Sequence, residues 1–401
     1  MRPAFANLLA AEVVSNFGAM LSRLAIPWLA ALSLDVTPFQ MGFLLVADVV
    51  AGAAGSLVLG AMVDRMDKRA VMIATDVGRA LVLGLLAVLA VHEALRFEAL
   101  VAAAAASGIL TVMFELARSA WIAQRVPVEM LPARNAQMSM GTSLSETVAF
   151  AIGGWIYQWL GAVIALAVDA ASYAISALFV RNVPPAPPQR AVEPRGDRVR
   201  AMVADVREGM QAVASTPILR MLAAVEVLVA FAMSVAGTSY MIFVARDLAF
   251  DTGSLGMIFA TGGIGSLLGA WLAPRLGVRW GTRGAMLAGL ALLSAGAFCI
   301  PLAQGATVLG AGFLIAHQIV GDGGFSVYDV HDRTLRQTAV GPQLLARVDS
   351  GIRTLGQLAR LAGAVGGGLI ATSMGTRFAL FLSAATYVIA FVVVARARSA
   401  R

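Results

Sequence analysis

Charged side chains inside long apolar segments are the residues of this sequence best placed to do chemistry. A charge at the centre of a membrane helix costs at least about 2.5–3.5 kcal/mol, so such residues usually line a polar pathway or relay protons. A carboxylate that alternates between apolar and hydrated surroundings can bind and release a proton. These groups suit proton exchange or cation binding, and we expect no enzyme. The candidates, chosen by depth, are Arg23, Asp48, Glu146, Asp169, Glu226, Arg353 and Arg360.

Glu146 is the strongest single candidate for a proton site. Its predicted helix carries no basic residue near it, so the carboxylate has no obvious partner on the same helix. We interpret Glu146 as a proton carrier or as an anchor for a cationic substrate. A hydrogen bond to a serine or threonine of a neighbouring helix is the alternative, and it stays open.

The elements that must position these charges are membrane helices. Of the 401 residues, 59% are hydrophobic and 13% are charged, and the mean hydropathy is +0.81. A soluble domain is typically about 45–50% apolar and about 25% charged, so lipid is the expected solvent. The apolar runs are long enough to cross a hydrocarbon core of roughly 30 Å. They predict twelve helices, at 4–33, 39–62, 70–91, 97–118, 135–157, 160–181, 217–245, 253–274, 284–303, 306–328, 345–370 and 375–396.

The basic residues concentrate on one side of the predicted membrane. With both termini in the cytoplasm, 23 of the 30 Lys and Arg residues face the cytoplasm, and only Arg96, Arg246 and Arg377 lie outside. This skew follows the positive-inside rule, so the net charge of +7 needs no nucleic-acid partner. We expect a multi-pass protein of a bacterial-type inner membrane without a cleaved signal peptide. One cysteine and three histidines lead us to expect no metal site and no cofactor.

The chain aligns with itself at a constant offset of 214 residues. Glu12 falls on Glu226 and Glu115 on Asp329, while Gly42 falls on Gly256. The repeat predicts an all-α membrane protein with two pseudo-symmetric six-helix bundles. We place the bundles at 1–181 and 212–401, and a proline-rich cytoplasmic linker at 182–211. Further pairs related by the same offset are Arg65 with Arg279, Arg69 with Arg283, and Gly153-Gly154 with Gly367-Gly368.

Two loops carry a family resemblance. Residues Gly60–Arg69 (GAMVDRMDKR) resemble the signature loop of the major facilitator superfamily, and Pro274–Arg283 (PRLGVRWGTR) resembles its second-half copy. Five further segments look like the drug:proton antiporter branch, which includes macrolide and enterobactin exporters. In helix five, Gly153-Gly154 fits the antiporter pattern, whereas Ser145 and Phe150 replace its glycine and proline. The five segments are Asp76–Ala80, Ala117–Ala120, Val126-Pro127, Ala133–Ala136 and Asp169–Tyr173.

The resemblance implies roles for both loops and for two of the buried charges. The loop residues would latch the cytoplasmic side as a gate, with the arginines pairing with acidic groups at helix ends. Helices two and eleven pack together in this family, which would bring Asp48 close to Arg360, with Arg23 as the competing partner. The gate residues are Gly60, Asp64, Arg65, Arg69, Arg279 and Arg283.

Other charges form a predicted network towards the cytoplasmic ends of the helices. We expect i,i+3 pairs between Asp76 and Arg79 and between Glu115 and Arg118. Asp329, Asp332 and Arg333 are the second-half counterpart of the helix-four charges. Glu12 and Glu226 either line a vestibule or hold neighbouring helices by hydrogen bonds, and both interpretations stay open.

The resemblance implies a secondary active transporter that works by alternating access. The expected function is proton-coupled efflux of a hydrophobic or amphipathic small molecule, such as a drug, a macrolide or a siderophore. Its partners would be the small-molecule substrate, protons and the lipid bilayer, with the chain acting as a monomer. An importer or uniporter of the same fold is one alternative, and a non-transporting membrane sensor or assembly factor is another.

Overall fold

The structure is a computed structural model that describes residues 2–64, 66–127, 130–186, 207, 210–340 and 342–397. These residues form helices and connecting turns, with no strand among them, which confirms the predicted all-α class. Within these ranges, the side chains of residues 2, 24, 48, 49, 52–61, 64, 131–133, 135, 136, 139, 342–347 and 350 are not described. The first five helices are α1 (Arg2–Ser33), α2 (Pro38–Asp64), α3 (Lys68–Val91), α4 (Phe97–Arg125) and α5 (Leu131–Arg181). The others are α6 (Pro217–Ile242), α7 (Thr252–Leu302), α8 (Val308–Ala316), α9 (Asp322–Ala339), α10 (Pro342–Met374) and α11 (Thr376–Arg396).

Two of the helices, α5 and α7, are each bent into two arms. Each contains 51 residues, which would extend roughly 75 Å at about 1.5 Å per residue. One glycine interrupts each, Gly161 at φ 79° and Gly281 at φ 70°, in a backbone region that side chains with a Cβ rarely adopt. Gly375 between α10 and α11, the repeat counterpart of Gly161, also has a positive φ of 92°. The arms 131–160, 162–181, 252–280 and 282–302 therefore correspond to four of the predicted helices.

The predicted helix positions agree with the structure to within about four residues except at three ends. The fourth helix continues to Arg125 instead of residue 118, and the eighth to residue 280 instead of 274. The tenth runs through a π-helical turn (His317–Gly321) to Ala339 instead of residue 328. Each extension contains at least one arginine, so a prediction based on apolar runs ends too early there. In the part of the chain that is described, eight helical stretches are long and apolar enough to cross a membrane. The count of twelve crossings stays a prediction.

The chain forms two compact units. Unit 1 comprises residues 1–36, 43–193 and 251–257, and unit 2 comprises 37–42, 194–250 and 258–401, as far as these are described. In unit 1, a buried core gathers around α1, α3 and α4, with Leu8, Met72 and Phe114 among its members. In unit 2, the largest core gathers around α6, the second arm of α7 and α11. The predicted linker lies largely outside the described residues, and the predicted domain limits stay a prediction.

Close helix crossings within each unit explain glycines that recur at the 214-residue offset. In unit 1, a Cβ on Gly154 would come within 2.7 Å of the Gly256 Cα. In unit 2, a Cβ on the counterpart Gly368 would come within 2.9 Å of the Phe39 Cα, and one on Gly42 within 2.5 Å of the Ala364 carbonyl oxygen. Small residues let membrane helices approach closely, so these positions tolerate little else.

Candidate functional site

Unit 1 contains an ion pair between its first and fourth helices. The Arg118 guanidinium on α4 donates to the Glu12 carboxylate on α1, and both side chains are mostly buried, with 22% and 13% of their surface exposed. Glu115, expected as the partner of Arg118, is exposed and has no ion pair with any described residue. The predicted Glu115–Arg118 pair is therefore wrong. The Arg118 side chain extends to α1, where Glu12 is a more buried partner than Glu115.

Unit 2 contains the corresponding pair, with the arginine one helical turn further along. The Arg336 guanidinium on α9 lies 2.9 Å from the Glu226 carboxylate on α6 and 2.6 Å from Asp332. Asp349 of α10 lies 3.9 Å from the same guanidinium. The offset of 214 relates Glu12 to Glu226 and Arg118 to Asp332, so Arg336 is four residues, about one turn, beyond the equivalent position. Glu12 and Glu226 thus each form an ion pair that joins two helices of one unit.

The predicted pair of Asp76 with Arg79 is present at the interface of α3 with the second arm of α5. The two side chains approach to 2.5 Å, and both are buried. The Ser176 hydroxyl donates to the second Asp76 oxygen at 2.7 Å. The Arg79 guanidinium stacks between the rings of Phe114 and Tyr173, at 4.8 and 4.2 Å. The cluster is enclosed, and only the Arg79 Nε of the pair lacks a hydrogen-bond partner among the described residues, so we interpret the cluster as structural.

The signature-loop residues fall into two groups. Gly60, Asp64 and Arg65 lie outside the described side chains, so their gate role stays a prediction. Arg69 donates to the Val183 carbonyl oxygen at 3.4 Å, just beyond the end of α5. Arg283 donates to the carbonyl oxygen of Val394 at 2.6 Å and to that of Ala397, at the end of α11.

These loop arginines cap helix ends inside their own units. The offset of 214 relates Arg69 to Arg283 and Val183 to Ala397, so the same contact is made twice. A guanidinium at a helix C-terminus meets unpaired carbonyl groups and the negative end of the helix dipole. The acidic partners expected for Arg69 and Arg283 are replaced by these carbonyls among the described residues. Arg279 is exposed, 5.9 Å from the Trp280 ring.

The charges predicted near the membrane centre differ in their surroundings. Arg23, Arg353 and Arg360 have exposed side chains. The Asp48 side chain lies outside the described part, so its pairing with Arg360 or Arg23 stays a prediction. Asp169 is buried, and it accepts from the Ser172 hydroxyl at 3.3 Å. Asp329 pairs with Arg333 at 2.9 Å on the exposed face of α9.

Glu146 combines partial burial with the lack of a polar partner. It is half-buried in the first arm of α5 and makes no hydrogen bond or ion pair with any residue that the structure describes. A Ser or Thr partner, the alternative weighed from the sequence, is not found among those residues. The neighbouring Thr147 hydroxyl donates instead to the Ser143 carbonyl oxygen at 2.9 Å. Glu146 is therefore a carboxylate without a polar partner among the described residues, and its role as a proton or cation site stays a prediction.

Asp322 shares these properties and was missed from the sequence. It is half-buried at the start of α9, and it has no hydrogen bond or ion pair in the described part of the chain. The sequence ends the tenth helix at residue 328, which places Asp322 near a helix end. Since the helical segment continues to Ala339, Asp322 lies near its middle. An interruption of the apolar run by Gly321-Asp322-Gly323 was the signal that could have revealed it.

Comparisons with known proteins agree with a transporter fold. Residues 8–348 match the family model of the Major Facilitator Superfamily. The uncharacterized MFS-type transporter YfiS of Bacillus subtilis (strain 168) is 26% identical, over 95% of this chain and 91% of its own.

Solved structures share the fold at low sequence identity. A bacterial homologue of the iron transporter ferroportin, in an inward-facing state, is similar with a TM-score of 0.76 at 13% identity, covering 100% of both chains. The nucleoside transporter NupG has a TM-score of 0.74 at 14% identity, covering 98% of this chain and 100% of its own. These likenesses concern the fold alone.

The family match covers most of the chain, and the family is one of membrane transporters, not of enzymes. With its all-helical structure and long apolar helices, this chain belongs to the major facilitator superfamily.

Proposed function

We propose that this protein is a proton-coupled exporter of a hydrophobic or amphipathic small molecule, placed in an inner membrane with both termini in the cytoplasm. The observation that carries the proposal is the contrast between paired and unpaired carboxylates. Glu12 and Glu226 form ion pairs with guanidinium groups, whereas Glu146 has no described cationic partner. A carboxylate without a fixed counter-charge can change its protonation state when its access to water changes.

The surface around Glu146 suits an amphipathic ligand. Met140, Leu144 and Val148 are exposed along one face of the first arm of α5. Ser143 and Thr147 are exposed on the same face and add hydroxyl groups to it. At about 3.6 residues per turn, Glu146 lies at the edge of this face. The mixture of methionine, branched aliphatic and hydroxyl groups suits apolar molecules that carry a few polar atoms.

The direction of transport rests on the resemblance to the drug:proton antiporter branch, which covers mainly the first half of the chain. In an exporter of this kind, protons move inward as substrate moves outward. Substrate exchange is then driven by the proton gradient and needs neither ATP nor a bound cofactor.

Transport into inverted vesicles tests the coupling. We expect a compound found by screening hydrophobic molecules to accumulate only when the vesicle interior is acidic. Glu146→Gln should abolish the dependence of uptake on the gradient, because the amide cannot exchange a proton. The measurement is initial uptake of labelled compound with and without an imposed pH gradient.

Glu98→Gln is the matched control, since Glu98 is exposed in the first turn of α4 and the substitution makes the same chemical change. It should keep the wild-type gradient dependence. Wild-type uptake that ignores the gradient would contradict proton coupling and favour a uniporter. Accumulation with the opposite gradient polarity would identify an importer, and a chain that moves no compound of any class would agree with a sensor or assembly factor.

A further inference from the structure

Asp322 lies where its helix departs from regular geometry. The π-helical turn at His317–Gly321 ends directly before it, and α9 begins with it. Such turns are rare and are frequently found at functional sites. The turn is packed against the second arm of α7, where a Cβ on Gly296 would lie 2.5 Å from the Gly321 Cα. The position of Asp322 is therefore set by backbone packing, and no ionic partner holds its side chain among the residues that the structure describes.

The Asp322 carboxylate is directed at the bare backbone of the first arm of α7. A Cβ on Gly262 would overlap its Oδ2, so only glycine leaves room for the carboxylate there. The Gln318 side chain, which is buried, lies on the same side, with its amide nitrogen 3.5 Å from that Cβ position. Gly265, one turn along α7, packs equally closely on the Ile319 backbone. The surroundings are thus tightly packed and poor in charge.

No described cation neutralises Asp322 from any of the neighbouring helices. Neither arm of α7 places a charged side chain against it. Tyr240 of α6 packs its ring against that of His317, the first residue of the π-helical turn. His317 itself is engaged with the Gly296 carbonyl oxygen at 3.1 Å. Among the described residues, Gln318 and Tyr240 are therefore uncharged polar groups placed around the turn that leads into Asp322.

The hydroxyl group of Tyr240 is one of these polar groups. It is buried and has no hydrogen-bond partner among the described residues. Its ring packs with Phe259 of α7 and with His317, at centroid distances of 5.8 and 6.0 Å. A buried polar group without a partner is costly, so such groups in native proteins usually meet a ligand, a water molecule or a second conformation. Tyr240 thus places a buried donor against the turn that leads into Asp322, a carboxylate without a described ionic partner.

We propose that Asp322 is a proton-binding site of unit 2, with Tyr240 as the hydrogen-bonding group that steadies its ionised form. A proton binds to a carboxylate oxygen to give the neutral acid, and it leaves when water reaches the site. Asp322 belongs to unit 2 and Glu146 to unit 1, and the proposal depends on neither the direction nor the substrate of transport.

Infrared difference spectra of the full-length protein in lipid nanodiscs, recorded in pH steps, test the proposal without any transport. A protonated carboxylic acid has a carbonyl stretching band that an ionised carboxylate lacks. We expect wild type to show a titrating acid band that Asp322→Asn removes. Glu226→Gln, at a carboxylate paired with Arg336, should leave that band unchanged. Tyr240→Phe keeps Asp322 but removes the donor, so its acid band should persist to a higher pH.

An Asp322→Asn spectrum identical to that of wild type would overturn the proposal. An Asp322 band that stays constant over the whole pH range in which the protein is folded would overturn it too. If Asp322→Asn does not fold, the Tyr240→Phe variant decides. An acid band that titrates in this variant at the same pH as in wild type would contradict the assignment. The two experiments can contradict the two proposals separately. Gradient-independent uptake in the vesicle assay would contradict coupled export, whereas the spectra alone decide whether Asp322 takes up a proton.

Discussion

Arg336→Met is expected to destabilise unit 2 severely. The substitution keeps an apolar side chain of similar length but leaves Glu226 and Asp332 without their common cation. Both carboxylates are largely buried, with 23% and 5% of their side-chain surface exposed. Removing one partner of a buried ion pair typically costs about 3–5 kcal/mol, because an uncompensated charge remains in a poorly hydrated place. The free energy of unfolding, measured by SDS titration in mixed micelles, should fall by about this amount.

Arg333→Met is the matched control, three residues earlier on the same helix. Arg333 forms an ion pair of the same length with Asp329, but 71% of its side chain is exposed. Exposed ion pairs contribute roughly 0–1 kcal/mol, so this variant should unfold almost as wild type does. Arg118→Met leaves only Glu12 without its cation, so its loss of unfolding free energy should lie between those of the other two variants. Equal stabilities of the Arg336 and Arg333 variants would contradict the account of the buried network.

Arg79→Met is the second change expected to have a large effect, this time in unit 1. It leaves the fully buried Asp76 carboxylate with only the Ser176 hydroxyl as a partner. It also removes the cation stacked between Phe114 and Tyr173. We expect a loss of about 3–5 kcal/mol in the free energy of unfolding, by the same titration, because the remaining carboxylate is isolated.

A double variant separates the charge effect from packing. Replacing a buried ion pair with apolar residues of similar volume is often neutral, so Asp76→Leu with Arg79→Met should be more stable than Arg79→Met alone. The coupling in this double-mutant cycle should be about 1–3 kcal/mol, as is typical for residues in contact. Additive losses from the two substitutions would mean that the pair contributes through packing and not through charge.

Much of the fold follows from local sequence patterns. Apolar runs locate most helix ends to within a few residues because the bilayer demands about 20 apolar residues for each crossing. The Asp76–Arg79 pair was predictable because both residues lie on one helix face, three positions apart. The glycines shared by the two halves also follow, since each permits a close helix crossing at the same repeat position.

Contacts between distant helices do not follow from local patterns. Arg118 selects Glu12, 106 residues away, over Glu115 on its own helix, because packing makes the more buried partner available. Arg336 was not singled out, since no helix-four residue of like charge stands at its repeat position, which is Ile122. Asp322 was not predicted as a site residue because the prediction ended its helix too early. Ion pairs of i,i+4 spacing stabilise the polar end of that helix, and a search for apolar runs does not detect them.

Carboxylates with an arginine partner and carboxylates without one have different expected roles in this fold. Paired groups such as Glu12 and Glu226 join helices inside a unit through ion pairs with arginines. Unpaired groups such as Glu146 have no described counter-charge, so they are the ones proposed to change protonation during transport. The stability variants address the first kind, and proton measurements address the second.

Proton movement during substrate transport tests the central claim most directly. Purified protein is reconstituted into liposomes that enclose a pH-sensitive dye, and substrate is added to one side. We predict that wild type moves protons opposite to the substrate. Glu146→Gln should exchange labelled for unlabelled substrate across the membrane while moving no protons. Substrate transport by wild type with no change in the internal pH, or undiminished proton movement by Glu146→Gln, would contradict it.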